Sequence, residues 1–142
     1  MPSMAQLLST KGSHVWSISP DATVFEGVAL MAQKNIGALL IVERGHPVGI
    51  MSERDYARKI VLDGRSSRDT AIRSIMTTRL VSVRSGDTVE RAMETMTRER
   101  IRHLPIMDGD TVLGIVSIGD LVKATIDQQQ FTIEQLERYI TT

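Results

Sequence analysis

Gly114-Ile115-Val116-Ser117-Ile118-Gly119-Asp120 reads as a short apolar strand that breaks at a serine into a helix opening with a carboxylate. The same device stands earlier as Gly49-Ile50-Met51-Ser52-Glu53-Arg54-Asp55, with glycine, isoleucine, serine and aspartate in matching places. At this fixed offset, Thr23 to Arg58 against Thr88 to Lys123 gives ten identities in 36 ungapped pairs, where unrelated segments give roughly two. Besides the opening stretch they are Thr23/Thr88, Val24/Val89, Met31/Met96, Ile36/Ile101, Leu39/Leu104 and Ile41/Ile106. Most are apolar, so the repeat specifies a fold first and a site second.

Outward from these stretches, each copy reads in one order. Val15 to Ile18 alternates as a brief strand, and Pro20-Asp21-Ala22-Thr23 turns into a helix reaching Lys34 with apolar residues at helical spacing. Asn35-Ile36-Gly37 ends that helix. Ala38 to Val42 and Val48 to Met51 are apolar strands around the turn Arg44 to Pro47, and Ser52 caps a helix to about Leu62. Polar residues Asp63 to Thr70 make a linker, and Ile72 to Met76 one helical turn. The order then repeats: strand Leu80 to Val83, helix Thr88 to Arg98, strands His103 to Met107 and Thr111 to Val116, and a helix from Ser117 to about Ile126. Two pieces have no counterpart, a short N-terminal helix within Met1 to Leu8 and a C-terminal helix from Gln128 to Ile140 whose Phe131, Ile133, Leu136 and Ile140 suggest packing. The expected division is residues 1–70 for the first motif with its N-terminal helix, 71–127 for the second motif, and 128–142 for the C-terminal helix. The fold class is α/β (α+β): two β-α-β-β-α motifs packed with pseudo-twofold symmetry, since each copy is too small to cover both faces of its own sheet.

Composition narrows the function. The 142 residues include no cysteine, which excludes disulfides, thiolate chemistry and cysteine metal sites. No apolar run approaches the roughly 20 residues of a membrane helix, and the first ten residues lack the basic and apolar regions of a secretory signal, so the expectation is a cytoplasmic protein off the membrane. Seventeen basic residues balance seventeen acidic ones, which disfavours nucleic acid. Arg65, Arg68, Arg73, Arg79, Arg98, Arg100 and Arg102 are either a solvated face or a set of contacts for small anions. His14, His46 and His103 have no metal-ligand spacing, and no nucleophile elbow or phosphate-loop fingerprint is present. No metal, no catalytic cofactor and no enzyme is the expectation.

Ser-x-x-Asp at a strand-to-helix junction has a complete structural explanation. The serine caps the helix by accepting a backbone N–H bond, and the aspartate sits where the helix dipole favours negative charge. The alternative is a carboxylate that accepts two hydroxyls of a ribose diol, with free N–H groups nearby for a phosphate. Retention of both serines and both aspartates in otherwise diverged helix starts favours the second reading.

The unit carrying Ile101-Arg102-His103-Leu104-Pro105-Ile106 and Gly114 to Asp120 resembles the CBS domain, named after cystathionine β-synthase. Ile75-Met76-Thr77 before Leu80-Val81-Ser82-Val83 is similar to the family's entrance to a second motif, while Ile36-Gly37-Ala38-Leu39-Leu40-Ile41-Val42 is a looser version in the first. Together, from about Val15 to Ile126, they resemble a tandem pair, the Bateman module, of stand-alone type. The resemblance implies a regulatory module that binds adenosine-containing ligands such as AMP, ADP, ATP, NAD(H) or S-adenosylmethionine in clefts between the motifs. Carried over, Asp55 and Asp120 hold the ribose hydroxyls of separate ligands, with Ser52 and Ser117 beside ribose or phosphate. Adenine lies near Val15, Trp16, Ile36, Gly37 and Ala38 in one cleft, and near Thr77, Leu80 and Ile101 to His103 in the other. Arg54 meets phosphate in the first, Arg102 or His103 in the second, with Arg58 and Lys123 as weaker candidates.

Bland readings stand beside these: His103 as a strand residue, Arg54 as a solvent-facing helix residue, Trp16 as core or interface. Gly119 stands where Arg54 stands in the first copy, so the two clefts differ in phosphate affinity. The family resemblance further implies a homodimer through helices Thr23 to Lys34 and Thr88 to Arg98, with Met93 and Met96, and an effector protein that the sequence does not identify. The competing function is a dimerisation or interaction module without a nucleotide ligand.

Overall fold

The computed structural model describes residues 2–141, a mixed α+β fold with small sheets flanked by helices. In chain order the elements are α1 (Met4–Lys11), β1 (Ser17–Ile18), α2 (Val24–Lys34), β2 (Ala38–Glu43), β3 (His46–Ser52), α3 (Glu53–Tyr56), a π-helical turn (Ala57–Val61), a 3-10 turn (Ile72–Ser74), α4 (Val89–Glu99), β4 (His103–Asp108), β5 (Thr111–Ser117) and α5 (Ile118–Thr141). They form two compact units: Val15–Val81, and a second that joins the residues up to His14 to those from Ser82 onward.

In the first unit β1 runs parallel to β2, and β2 pairs antiparallel with β3. Arg44 and Gly45 both take positive φ in the two-residue turn between β2 and β3, the geometry that matches strand twist. α2 begins with a capping box of Thr23 and Glu26 and ends on Asn35 in the left-handed conformation. Its inner face joins Val24 and Met31 to Leu39, Ile41, Met51, Ile60, Ile72 and Ile75 in one core. The second unit repeats the plan. β4 pairs antiparallel with β5, Thr88 caps α4, and Arg100 takes the left-handed position that Asn35 holds in the first. The same register irregularity recurs, between Ile41 and Val42 and between Ile106 and Met107. The strand expected over Leu80 to Val83 shrinks to a single parallel bridge, Val83 to Ile106.

Each unit is completed by a segment outside its own repeat. In the first, Val24 N–H donates to the Thr70 carbonyl (2.8 Å), and Thr77 forms an antiparallel bridge with Ile50 on β3. In the second, Val89 N–H donates to the Pro2 carbonyl (3.0 Å), Ser3 bridges Thr88, and α1 buries Met4, Leu7 and Leu8. Where these segments cross the strands, each strand carries a glycine and the approach is close. A Cβ at Gly49 would stand 2.9 Å from the Thr77 carbonyl oxygen, and one at Gly114 would stand 2.5 Å from Leu8 Cδ2.

Several expectations change here. The N-terminal helix, assigned with residues 1–70, belongs to the unit of the second motif, and residues 71–81, assigned with the second motif, belong to the unit of the first. The helix after Ser52 relaxes into a π-helical turn after four residues. The helix after Ser117 does not stop near Ile126: α5 is continuous for 24 residues, since no glycine or proline interrupts it after Gly119. Phe131, Ile133, Leu136 and Ile140, expected to pack, are 48–79% exposed. Met96, offered as an interface residue, is buried in its own unit, and Met93 accepts a bond from Thr125. Among the basic residues, Arg73 is paired with Asp21 (3.1 Å) and with Glu43, and Arg68 lies over the Phe25 ring, so these two serve structure.

Candidate functional site

The two strand-to-helix corners are built alike. At the first, Ser52 Oγ accepts from Asp55 N–H (3.2 Å), while the Asp55 carboxylate accepts from Ser52 N–H (3.0 Å) and from the Ser52 hydroxyl (3.2 Å). At the second, Ser117 Oγ accepts from Asp120 N–H (3.1 Å) and Asp120 accepts from Ser117 N–H (2.8 Å). These are capping boxes with aspartate in the place of the usual glutamate. The residue just before the neighbouring strand supplies a carbonyl at each corner: Gly37 accepts from Glu53 N–H (3.0 Å) and Arg102 from Ile118 N–H (2.8 Å).

Each carboxylate also faces an ammonium. Asp55 Oδ1 lies 3.0 Å from Lys59 Nζ, which in turn donates to the Ile75 carbonyl (2.8 Å). Asp120 Oδ2 lies 2.6 Å from Lys11 Nζ, which also donates to the Ile115 carbonyl. Burial alone would raise Asp120, but the Lys11 bond and the Ser117 amide outweigh it and hold the carboxyl below its ordinary value. The corners differ in exposure. The side chain of Asp55 is 10% exposed, whereas that of Asp120 is 26% exposed.

The first corner gathers most of the residues expected there. Ala38 lies opposite Ser52 across the β2/β3 pair, Gly37 bonds the helix start, and Ile36 N–H closes α2 onto the Met31 carbonyl (3.0 Å). Arg54 stands half-buried between Ser52 and Asp55 in sequence, on the first turn of α3. Trp16 bonds Leu40 through its carbonyl, packs against the core, and carries the Lys34 ammonium 4.1 Å from its ring centre. Thr77, expected with the second corner, instead donates its hydroxyl to Asp55 (3.2 Å) because its segment bridges β3. Leu80 also lies in that unit, half-buried. At the second corner His103 lies opposite Ser117, Arg102 bonds Ile118, and Ile101 N–H closes α4 onto the Met96 carbonyl (3.1 Å). Gly119 is exposed, and a Cβ there would meet only Ser117 Oγ, at 3.6 Å. Space does not dictate this glycine.

Sequence reasoning missed both lysines. Lys59 carried a signal, standing four residues after Asp55 on the same helical face. Lys11 carried none, lying 109 residues from its partner. Among the described residues no group of three or more His, Cys, Asp or Glu is placed to hold a metal, and no helix is long and apolar enough to cross a membrane.

Comparison with known proteins fits this duplicated plan. The family model for the CBS domain matches residues 9–62 and 72–127. The mitochondrial CBS domain-containing protein CBSX3 of Arabidopsis thaliana is 42% identical over 93% of this chain, which spans 66% of that protein's length. A solved structure of a protein with CBS domains from Burkholderia ambifaria is 43% identical, with a TM-score of 0.87 over 93% of this chain and 99% of that one. More distantly, the CBS domain pair of protein MJ0100, solved in complex with 5'-methylthioadenosine and S-adenosyl-L-methionine, is 21% identical with a TM-score of 0.79, covering 90% of this chain and 98% of that one. Pairs of this kind are generally regulatory and ligand-binding. Two matched segments, the same capped corner at the end of the hairpin in each, and relatives matched across nearly the whole length establish that this chain belongs to the CBS-domain family as a tandem pair.

Proposed function

We propose that this chain is a regulatory module that binds adenosine-containing ligands at its two capped corners and passes ligand occupancy to a partner protein without turning the ligand over. The observation that carries the reading is the pairing of each corner aspartate with a lysine. Helix capping alone needs neither ammonium, whereas a ribose diol needs a carboxylate that is ionised, oriented and able to exchange one partner for another. Two hydroxyls replace the lysine on the carboxylate, and the displaced ammonium stays within reach of a phosphate on the same ligand. Lys59 and Lys11 thereby favour nucleotides such as AMP, ADP, ATP or NAD(H) over bare nucleosides. Arg54 adds cationic charge at the first corner, where the second has Gly119, so the first corner is the stronger phosphate binder. The complex of protein MJ0100 with adenosine derivatives supports the ligand class. Ser52, Asp55, Thr77, Gly37 and Ala38 form the first site, and Ser117, Asp120, Arg102, His103 and Ile101 the second; Trp16, Ile36 and Leu80 contribute apolar surface to the first unit.

Calorimetric titration of AMP, ATP, NAD and NADH into the wild type, Asp55→Ala and Asp120→Ala tests this. Each variant is expected to lose one class of site and keep the other. No binding to the wild type leaves the reading of a dimerisation module in its place, and unchanged binding in both variants removes the assignment of the aspartates. Turnover of the nucleotide during incubation overturns the regulatory reading.

A further inference from the structure

The carboxylate of the second corner is already occupied, and its occupant comes from α1. Asp120 Oδ2 accepts both from Ser117 N–H (2.8 Å) and from Lys11 Nζ (2.6 Å). A carboxylate oxygen offers about two acceptor positions, so Oδ2 is full. A ribose diol laid across the two carboxylate oxygens puts one hydroxyl on Oδ2, and one of the two donors has to leave. The Ser117 amide is fixed by the capping box, whose reciprocal bond runs from Asp120 N–H to Ser117 Oγ (3.1 Å). Lys11 is the donor that can go, because its side chain is 36% exposed and water can take up the ammonium.

Losing Lys11 costs α1 the polar anchor of its C-terminal end. The N-terminal end is held by backbone: Met4 N–H donates to the Asp87 carbonyl (2.8 Å), Ala5 N–H to that of Ser85 (2.9 Å), and Val89 N–H to that of Pro2 (3.0 Å). At the other end Lys11 reaches Asp120 and the Ile115 carbonyl, with Leu8 packed on Gly114. Just beyond, the helix stops on Gly12 at φ 99° and ψ 152°, a conformation that favours glycine, and residues 9–14 are exposed. The first corner is arranged differently. Lys59 follows Asp55 by four residues on the same stretch of chain, and the segment crossing β3 is tied by the two bonds between Ile50 and Thr77. An exchange of partners at Asp55 therefore leaves that segment in place.

We infer that Lys11 is a tethered competitor for the second corner, and that a ligand taking Asp120 releases the last turn of α1. The N-terminal helix thereby reports whether that corner is filled. This deepens the proposed function and rests on the second corner being an adenosine site. Because the competing contact is an exposed ion pair, the brake it applies is mild, about two- to fivefold in affinity.

Adenosine, which has no phosphate for the displaced ammonium to meet, isolates the competition. Full-length Asp55→Ala retains the second corner alone. In calorimetric titrations of that chain, adding Lys11→Met is expected to tighten adenosine binding by about two- to fivefold. A lysine that only supports the fold gives unchanged or weaker binding, and either result overturns the competition. Hydrogen exchange reads the release itself. Adenosine is expected to speed exchange across residues 8–12 of Asp55→Ala, including the Gly12 amide that bonds the Leu8 carbonyl (2.8 Å). In Asp55→Ala/Lys11→Met the same turn is expected to exchange fast before adenosine is added and to change no further. Slower or unchanged exchange in adenosine-bound Asp55→Ala overturns the release. Failure of adenosine to bind Asp55→Ala at all overturns the adenosine reading of the corner, a result distinct from binding that ignores Lys11.

Discussion

Gly49 and Gly114 occupy the same place in the two copies, yet the structure assigns their replacement by alanine different consequences. At Gly49 the added Cβ would stand 2.9 Å from the Thr77 carbonyl oxygen and 3.0 Å from Met76 Sδ. That carbonyl accepts from Ile50 N–H (3.0 Å) while Thr77 N–H donates to the Ile50 carbonyl (2.8 Å), so the oxygen cannot retreat without loosening a two-bond bridge. Two backbone bonds at about 0.5–1.5 kcal/mol each, net of solvent, put the cost at about 1–3 kcal/mol, in the range of ordinary overpacking. At Gly114 the nearest atom is closer, Leu8 Cδ2 at 2.5 Å, but it is the end of a flexible side chain on α1 rather than backbone. Rotation of Leu8 off its preferred rotamer relieves the contact for about 0.5–1.5 kcal/mol. Gly49→Ala is therefore expected to destabilise the chain more than Gly114→Ala, although its closest contact is longer. Urea denaturation of both variants measures the difference. Gly49→Ala should also weaken nucleotide binding at the first corner, because the same shift carries the Thr77 hydroxyl away from Asp55. An equal or larger loss in Gly114→Ala would show that the rigidity of the opposing atom does not govern the cost, and the reasoning would fall.

Asp120 and Asp108 are both held below the ordinary carboxyl value of 3.8, Asp120 through Lys11 and Ser117 against the effect of burial, and Asp108 through the hydroxyl and amide of Ser85. The unfolded chain therefore takes up protons first as the pH falls, so this stabilisation is complete above the unfolded value and is lost as the pH drops through it and then through the folded values. In Lys11→Met the contribution of Asp120 to that acid loss should shrink, as denaturation midpoints compared between about pH 3 and pH 6 will report. Gly119→Ala adds a Cβ with no close contact and should stabilise by about 0.4–1 kcal/mol by restricting the unfolded chain; a loss of stability in thermal melts would contradict the open space at that position. Lys59→Met removes an ammonium that is 42% exposed, so its effect on stability should stay near 0.3–0.5 kcal/mol. Its effect on ligand choice should be larger, reducing the preference for AMP over adenosine by about 1.5 kcal/mol, roughly tenfold, in paired calorimetric titrations; an unchanged ratio would remove Lys59 from phosphate recognition.

The fold was legible wherever local chemistry and the repeat agreed. Thr23, Ser52, Thr88 and Ser117 cap helices as their residue types dictate, and Asn35 ends α2 in the left-handed conformation. The exchange of segments between the units escaped, because α1 and residues 72–77 pack by long-range complementarity, Leu8 against Gly114 and Met76 against Gly49, which no local periodicity encodes. The corners were legible as Ser-x-x-Asp pairs but not as ion pairs, for Lys11 reaches Asp120 across most of the chain. Thr77 was placed at the wrong corner for the same reason: sequence adjacency to the second motif suggested one neighbour, and backbone bridging to Ile50 chose another.

That exchange of segments also sets a timetable for synthesis. Residues 15–81 contain every strand, helix and bridging segment of their unit, and once the last of them leaves the ribosome this unit can close. Residues 2–12, made before any of it, belong to the other unit and cannot dock until β5 has followed, the bond from Lys11 to Ile115 spanning 104 positions. The first helix made is thus among the last to find its place. Its apolar face, Met4, Leu7 and Leu8, is a surface that a chaperone would meet first on the nascent chain.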